Sequence, residues 1–466
     1  VSLPLDGTEI HAKIWKAEIF GTSGNLVPVF FLDTMHPKNS KEHVELGMRL
    51  YGGDDAVRIR QEYLLGVGGV RGLGVLGFHL LGLHLNEGHC AFALLELLNK
   101  GWSREDLRKN VLFTTHTPVP AGHDRFEWED VESVLGELLP NDSRELVINA
   151  GDPENGGRIS MSHLAVALSG PVNGVSKLNS EVASPMFANK PIEPITNGVH
   201  HVTWTGPAMA ELFSQKLPGW IKNPDKLAGA SQIPSDDLWQ ARELSRKILR
   251  EHVKQSTGVE LQPDRLTIGF ARRFATYKRA NLIFSDLERL RELGKGKIQF
   301  VFSGKAHPKD QGGKALIKSI FESAKDLEED IPVAFLEDYS METGLVMTSG
   351  VDVWLNNPIR PMEASGTSGM KAAMNGVLNC SILDGWWPEG CEHGINGWAI
   401  GESDDERDDV RDTKNVHDVL ENQVIPLWYE NKEKWSQMMK SSIATSARFT
   451  GARMINDYRR FYDLFE

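Results

Sequence analysis

The sequence predicts an α/β fold with a parallel sheet wound by helices on both faces. From about residue 265 short apolar runs alternate with amphipathic helical patterns, the pattern of strands joined by helical crossovers. Small-residue and basic segments directly follow several of those runs, and active groups of such sheets gather at the carboxyl ends of the strands. The series starts with a strand at Leu266–Ala271. Ile283, Leu287 and Leu290 give the next helical face. Residues 298–302 form a strand, and Leu316, Ile317, Ile320 and Phe321 mark the following helix. Residues 333–336 form a strand, with a helix through Leu345, Val346 and Met347. Runs at 351–355 and 377–382 close the series, which describes a Rossmann-like domain.

The first half is more varied. Residues 8–32 carry extended runs, with Thr8, Ile10, Ala12, Ile14 and Lys16 alternating with Glu9, His11, Lys13 and Trp15. Residues 54–78 are helical around Ile59, Tyr63 and Leu64, a helix spans 90–98, and residues 111–115 form a short buried strand ending at His116. The Gly66–Gly74 stretch has Arg71 where a third phosphate-binding glycine would stand and lies in a helical pattern, so it predicts close helix packing. Residues 402–412 are acidic, with Val410 the one apolar side chain, and read as a solvated loop. Trp435, Met439, Ile443, Met454, Tyr458 and Phe461 mark two closing amphipathic helices.

Bulk properties narrow the function classes. The chain has 466 residues, enough for two or three domains. Hydrophobic and charged contents of 40% and 25% are ordinary for a globular protein. A net charge of −13 argues against nucleic acid as the main partner. Cys90, Cys380 and Cys391 form no framework and point to a reducing, cytoplasmic setting. No apolar run is long enough for a membrane span. The start, Val1–Gly7, reads as the middle of a β-rich region, which suggests a piece of a longer chain.

The chemistry concentrates in two motifs. Arg360-Pro361-Met362-Glu363-Ala364-Ser365-Gly366-Thr367-Ser368-Gly369-Met370-Lys371 joins a buried strand to a helix stopped by Gly376. Such a loop exposes backbone N–H groups suited to an anion. A lysine beside that turn suits a Schiff base with a phosphate-bearing aldehyde cofactor. Arg272-Arg273-Phe274-Ala275-Thr276-Tyr277-Lys278-Arg279 follows the first strand of the series and places cations at its carboxyl end, the residue types that bind phosphate dianions. The plainer alternatives are a Gly-rich loop with a solvated lysine and a solvated basic turn. His79, His84 and His89 do not line one helical face, so no metal site is read there.

The Glu363–Lys371 run resembles the pyridoxal-phosphate lysine motif of the α-glucan phosphorylases, the family of glycogen, starch and maltodextrin phosphorylases. The basic motif is similar to the family's Lys/Arg-Arg-x-x-x-Tyr-Lys-Arg, with Arg272 where Lys is frequent. Asn86-Glu87-Gly88-His89 resembles its Asn-Asp/Glu-x-His segment, and residues 115–123 its His-Thr loop in the short bacterial and archaeal form. Matches run from Tyr51-Gly52-Gly53 to the final helices.

The resemblance implies two facing Rossmann-like domains, the double-Rossmann glycosyltransferase architecture, over residues 1–196 and 197–466, with the last helix crossing back. It implies pyridoxal 5'-phosphate tied to Lys371, with Arg272, Thr367, Ser368 and Tyr339 around it, and orthophosphate held by Arg273 and Lys278. It implies sugar contacts from His116, Asn197, Glu363, Ser365 and Gly366, and further pocket residues Glu87, His89 and Lys305. The implied reaction is phosphorolysis of terminal α-1,4-glucosyl bonds of a glucan to glucose 1-phosphate with retained configuration, the cofactor phosphate donating and accepting the proton. A homo-oligomer is compatible with this reading, and no allosteric site is identifiable. No paired carboxylates of glycosidase type stand out.

The family's upstream Gly-Gly-Leu-Gly loop is not found. The first domain is therefore expected to be incomplete, with uncovered apolar faces, and the chain alone weakly active or inactive. Two rival readings stay open. A nucleotide-sugar glucan synthase of the same fold would share a basic cleft but need no Schiff-base lysine. A non-catalytic glucan-binding remnant would bind oligosaccharide without turnover. His123, His200 and His201 are expected to be structural or superficial.

Overall fold

The computed structural model describes the whole chain except residues 23, 49–53, 120, 121, 139, 140 and 466, and the side chains of Glu137, Asn141 and Asp142. The Tyr51-Gly52-Gly53 match, and Pro120 and Ala121 of the His-Thr loop, lie outside the described residues. The chain divides into two compact units. Unit 1 is Val1–Val175, Asn179–Ile195 and Asp457–Glu466; unit 2 is Ser176–Leu178 and Thr196–Asn456.

Unit 1 opens with a hairpin of β1 (Ser2–Leu5) and β2 (Thr8–His11), turned at Asp6 and Gly7, both in the left-handed region. A second antiparallel hairpin pairs β3 (Lys13–Phe20) with β4 (Leu26–Asp33). The alternation expected over residues 8–16 therefore breaks at Ala12, where one run becomes two strands. The parallel sheet comes next. It is built from β5 (Leu83–Asn86), β6 (Val111–Thr114), β9 (Val172–Gly174) and β10 (Glu193–Pro194), in the order β10-β9-β6-β5. Between them in sequence, β7 (Arg125–Glu127) and β8 (Arg158–Ser160) form a small antiparallel pair.

The helix Asp55–Val75 packs against Phe92–Asn99. Gly66 makes that approach feasible, since a Cβ there would lie 2.7 Å from the Ala93 nitrogen. The glycine run is thus a packing device, as its failed phosphate fingerprint suggests. Ile14 and Leu32 of the second hairpin reach Gly72 and Gly68 of this helix. Strand alternation then turns the opposite face outward. There Trp15 pairs with Phe31, Ala17 with Val29 and Ile19 with Val27. Trp15, Ile19, Val27 and Phe31 are all more than half exposed.

Unit 2 is built on six parallel strands: β11 (Leu266–Ala271), β12 (Ile298–Ser303), β13 (Val333–Leu336), β14 (Val353–Asn356), β15 (Leu378–Ile382) and β16 (Gly397–Ile400). Their order is β13-β12-β11-β14-β15-β16. Within this domain that is 3-2-1-4-5-6, the order of doubly wound sheets that bind ligands where the winding reverses, between the first and fourth strands. β11, β12, β14 and β15 are buried at every position, as expected of parallel strands covered on both faces. The sixth strand is an addition to the series read from sequence; four residues bounded by Gly397 and Gly401 are too short to declare themselves. The closing helices are Lys432–Ser446 and Gly451–Tyr462. Asp457 onward belongs to unit 1, where the Tyr458 hydroxyl accepts from Asn173 Nδ2 at 2.9 Å and the Tyr462 hydroxyl lies 2.7 Å from His84 Nδ1.

The acidic segment is only partly a solvated loop. The helix Asp409–Val419 begins inside it, and Asp409 and Asp412 grip the buried Arg279 guanidinium at 2.8 and 2.7 Å. A buried cation needs paired carboxylates, and this segment supplies them.

Candidate active site

In unit 2 both motifs meet at the switch point. The basic segment leaves β11, and the loop carrying Glu363 leaves the adjacent β14. Glu363 is buried and accepts from Arg272 Nη2 at 2.6 Å and Lys278 Nζ at 3.2 Å. Burial alone would raise its pKa, but Arg272 and then Lys278 overcome that and hold the carboxyl below its usual value. Lys278 moves the other way: burial, reinforced by Arg272, brings its amine down to about 8 despite Glu363. Arg272 also donates to Asn356 Oδ1 through Nη1, while its Nε is buried with no protein partner among the described residues.

The loop itself is fixed from behind. Asp384 accepts from the Glu363 N–H at 2.9 Å and the Gly385 N–H at 2.8 Å. Gly385 has φ 58°, and a Cβ there would lie 2.1 Å from the Ser365 carbonyl oxygen, so no other residue fits. Burial pushes the Asp384 carboxyl up to about 7. The Ala364 carbonyl accepts from Ser176 Oγ at 2.6 Å. Arg279 donates to the carbonyls of Asn357 and Pro358. Of the basic segment's cations, Arg279 is therefore structural, Arg272 and Lys278 are gathered on Glu363, and Arg273 is exposed.

Lys371 lies in the helix Ser368–Met374, after Gly366 at φ 70°. Its Nζ sits 3.5 Å from the centre of the Trp204 ring, and burial lowers its pKa to about 8. Asn375 locks the pair together: its Nδ2 donates to the carbonyls of Trp204 at 2.7 Å and Lys371 at 2.9 Å, and its Oδ1 accepts from the Gly206 N–H at 2.7 Å. The Tyr339 hydroxyl and the Trp204 ring both border Gly344, where a Cβ would lie 2.6 Å from the hydroxyl. Ser368 Oγ accepts from Trp354 Nε1 at 3.1 Å, and Thr367 precedes the helix without a side-chain cap bond.

Lys305 stands apart: it is exposed and pairs with Asp338 at 3.4 Å. Asn197 lies in a loop held by Arg453, whose Nη2 donates to the Asn197 carbonyl at 3.0 Å. Ser365 Oγ is buried with no protein partner among the described residues.

These residues fit a phosphate-bearing aldehyde. The group needs an amine that can shed its proton, a flat apolar surface and hydrogen-bond donors for its phosphate. Lys371, Trp204 and the unpartnered Arg272 Nε answer to those needs.

In unit 1, Glu87 follows β5 directly and His116 lies two residues beyond β6. Glu87 adopts φ 69°, rare for a side chain of its size, and accepts from the His116 N–H at 2.6 Å. Burial, then the charge of His89, lowers the His116 pKa to about 4, so its imidazole is neutral at pH 7. Its Nε2 is buried with no protein partner among the described residues. Burial also lowers the His89 pKa. His123 is buried with Nδ1 2.8 Å from Ser162 Oγ, and His201 bonds the Ile221 carbonyl at 2.9 Å, both structural placements. His200 caps a helix at its N-terminus.

The carbohydrate phosphorylase family profile matches residues 112–393, more than half of the chain. The chain belongs to this family. It is 38% identical to the maltodextrin phosphorylase of Thermococcus litoralis over 99% of its own length and 60% of that protein's. It is 37% identical to the glycogen phosphorylase of Aquifex aeolicus, over 97% of this chain and 72% of that one. For the glycogen phosphorylase of Mycobacterium tuberculosis the identity is 35%, over 98% and 59%. The chain thus spans about 60% of the length of the first and third of these phosphorylases.

Within this chain four side chains that shape the site escape sequence reading. Trp204, Asn356, Asn375 and Asp384 all lie outside both motifs. Asn356 alone had a local signal, a polar side chain ending an apolar strand beside the loop.

Proposed function

We propose that this chain serves the phosphorolysis of terminal α-1,4-glucosyl residues of glycogen, starch or maltodextrin to glucose 1-phosphate. The observation that carries the reading is the Lys371 amine, depressed by burial and seated on Trp204. The cation pair on Glu363, in the same unit, supports it. Lys371 would hold pyridoxal 5'-phosphate, with Arg272, Thr367, Ser368 and Tyr339 serving it. When bound, that group supplies a phosphate able to donate and accept a proton.

The chain's own residues then have distinct tasks. Lys278 and the exposed Arg273 bind orthophosphate and stabilise developing negative charge. Glu363 keeps Arg272 and Lys278 in place and accepts from a sugar hydroxyl. Asn197, Ser365 and Gly366 complete the sugar contacts. The neutral His116 imidazole bonds a hydroxyl without adding charge. The two units would be the two Rossmann-like domains of the family, close to residues 1–196 and 197–466, acting in the cytoplasm.

The test is glucose 1-phosphate release from a linear maltooligosaccharide and orthophosphate after reconstitution with pyridoxal phosphate. Release that disappears in Lys371→Ala supports the reading; release that survives it refutes it. A second reading is glucan binding without turnover. Oligosaccharide binding in the absence of release would identify that case. A glucan synthase of the same fold would instead bind a nucleotide sugar and no pyridoxal.

A further inference from the structure

Glu87 was read from the family resemblance as a pocket residue. The structure gives its carboxylate other work. Oε2 accepts from the His116 N–H at 2.6 Å and the Thr117 hydroxyl at 2.9 Å. Oε1 accepts from the Gly88 N–H at 3.3 Å and faces the Ser162 hydroxyl at 3.5 Å. Ser162 in turn meets His123. A single side chain therefore joins three segments: the turn after β5, the loop after β6 and the start of the helix Met161–Leu168.

The backbone is arranged around this bond set. Asn86 and Thr114 end their strands in register, and the Glu87 N–H donates to the Thr114 carbonyl at 2.9 Å. Glu87 then turns through the left-handed region, a conformation of a kind that persists only where its surroundings fix it. Gly88 is pressed onto Ser162, where a Cβ would lie 2.5 Å from the hydroxyl oxygen. No cation bonds this carboxylate among the hydrogen bonds above; its donors are two N–H groups and two hydroxyls.

We propose that Glu87 is a positioning residue whose carboxylate clasps the His116–Thr117 turn and so fixes where the His116 imidazole is presented. That imidazole carries the buried Nε2 with no protein partner among the described residues, and its placement decides what the nitrogen can reach. The clasp needs two acceptor oxygens. A glutamine offers one, and on either side of the group a backbone N–H waits that cannot turn away, so its amide N–H₂ always opposes a donor. The consequence for sugar recognition rests on the role given to His116 above; the clasp itself does not.

The experiment is amide hydrogen exchange on the full chain, wild type against Glu87→Gln, Glu87→Ala and Glu87→Asp. Exchange at His116 should accelerate several-fold in Glu87→Gln and about tenfold or more in Glu87→Ala, as expected on losing a charge-assisted bond. Leu112 and Phe113 in β6 should stay unchanged, and Glu87→Asp should restore most of the protection. Unaltered His116 exchange in Glu87→Ala, or acceleration spread evenly through β6, would overturn the proposal. Calorimetry with maltopentaose and with orthophosphate separates the functional claim. The Gln variant should bind the glucan about tenfold more weakly and orthophosphate unchanged. A wild-type chain that binds no glucan would remove the role of His116 while the exchange pattern still decides the clasp.

Discussion

The candidate site residues of the two units differ in charge. Unit 2 gathers charge: Arg272, Lys278 and Glu363 are buried in contact, and Lys371 is an amine held near neutrality. Unit 1 has buried carboxylates too, but its buried rings are neutral: burial brings His84, His116 and His123 all down to about 4. Charged clusters suit phosphate, whose dianion they can neutralise. Neutral imidazoles suit hydroxyls, which they bond at no electrostatic cost. On this contrast the Glu363 cluster of unit 2 is chemically suited to an anion, and the His116 ring of unit 1 to a neutral hydroxyl.

The strongest way to break this division is Lys371→Ala. It removes the amine without touching Glu363, and glucose 1-phosphate release and pyridoxal absorbance are both expected to fall to background. Next comes Arg272→Met. It strips the buried Glu363 of its closest cation, and losing one partner of a buried pair costs about 3–5 kcal/mol. Urea unfolding should report that loss in unit 2, with exchange in β5 and β6 unaltered.

Acid should act on unit 1. Below pH 6.5 the unfolded chain takes up protons that the buried histidines refuse until about pH 4. Their contribution is thus complete above pH 6.5 and lost as the pH falls toward 4. For the buried His123 the span is worth on the order of 3 kcal/mol. Thermal scans should show a falling midpoint across that window, less steep in His123→Gln.

Reaction of Lys371 with pyridoxal phosphate should quicken with rising pH and level off above about pH 8, where its amine is neutral. An ordinary lysine would still be accelerating there, and that result would sink the claim that burial tunes this amine. The smallest effect is expected from the exposed Arg273→Lys: stability within about 0.5 kcal/mol of wild type, but a raised KM for orthophosphate, since an ammonium cannot replace the guanidinium fork.

Much of unit 2 was legible because its strands are continuous apolar runs and its motifs sit where such strands end. The helix Ser235–Thr257 was not, because Arg242, Ser245 and Arg246 are buried along it beside Leu238, Leu249 and Val253, so its inner face does not read as apolar. The motif residues Arg272, Lys278 and Glu363 were legible one by one, but not their mutual ion pairing, which needs β11 and β14 to be neighbours. Trp204 was invisible for a similar reason: it lies 167 positions before Lys371 in sequence, and the Asn375 side chain bonds both their carbonyls. In unit 1 the His-Thr loop was readable, whereas the clasp by Glu87 depends on strand register.

The outward ladder of the β3–β4 hairpin has a practical consequence. Trp15, Phe31, Ile19 and Val27 form a hydrocarbon film at the surface of a chain whose net charge is −13. Such a film wets hydrophobic resin, detergent micelles and the air–water interface. Sulfate and phosphate salts at high concentration strengthen that adhesion. An acidic side chain placed on the ladder, Val27→Glu for instance, is the direct means of keeping it dispersed in an assay.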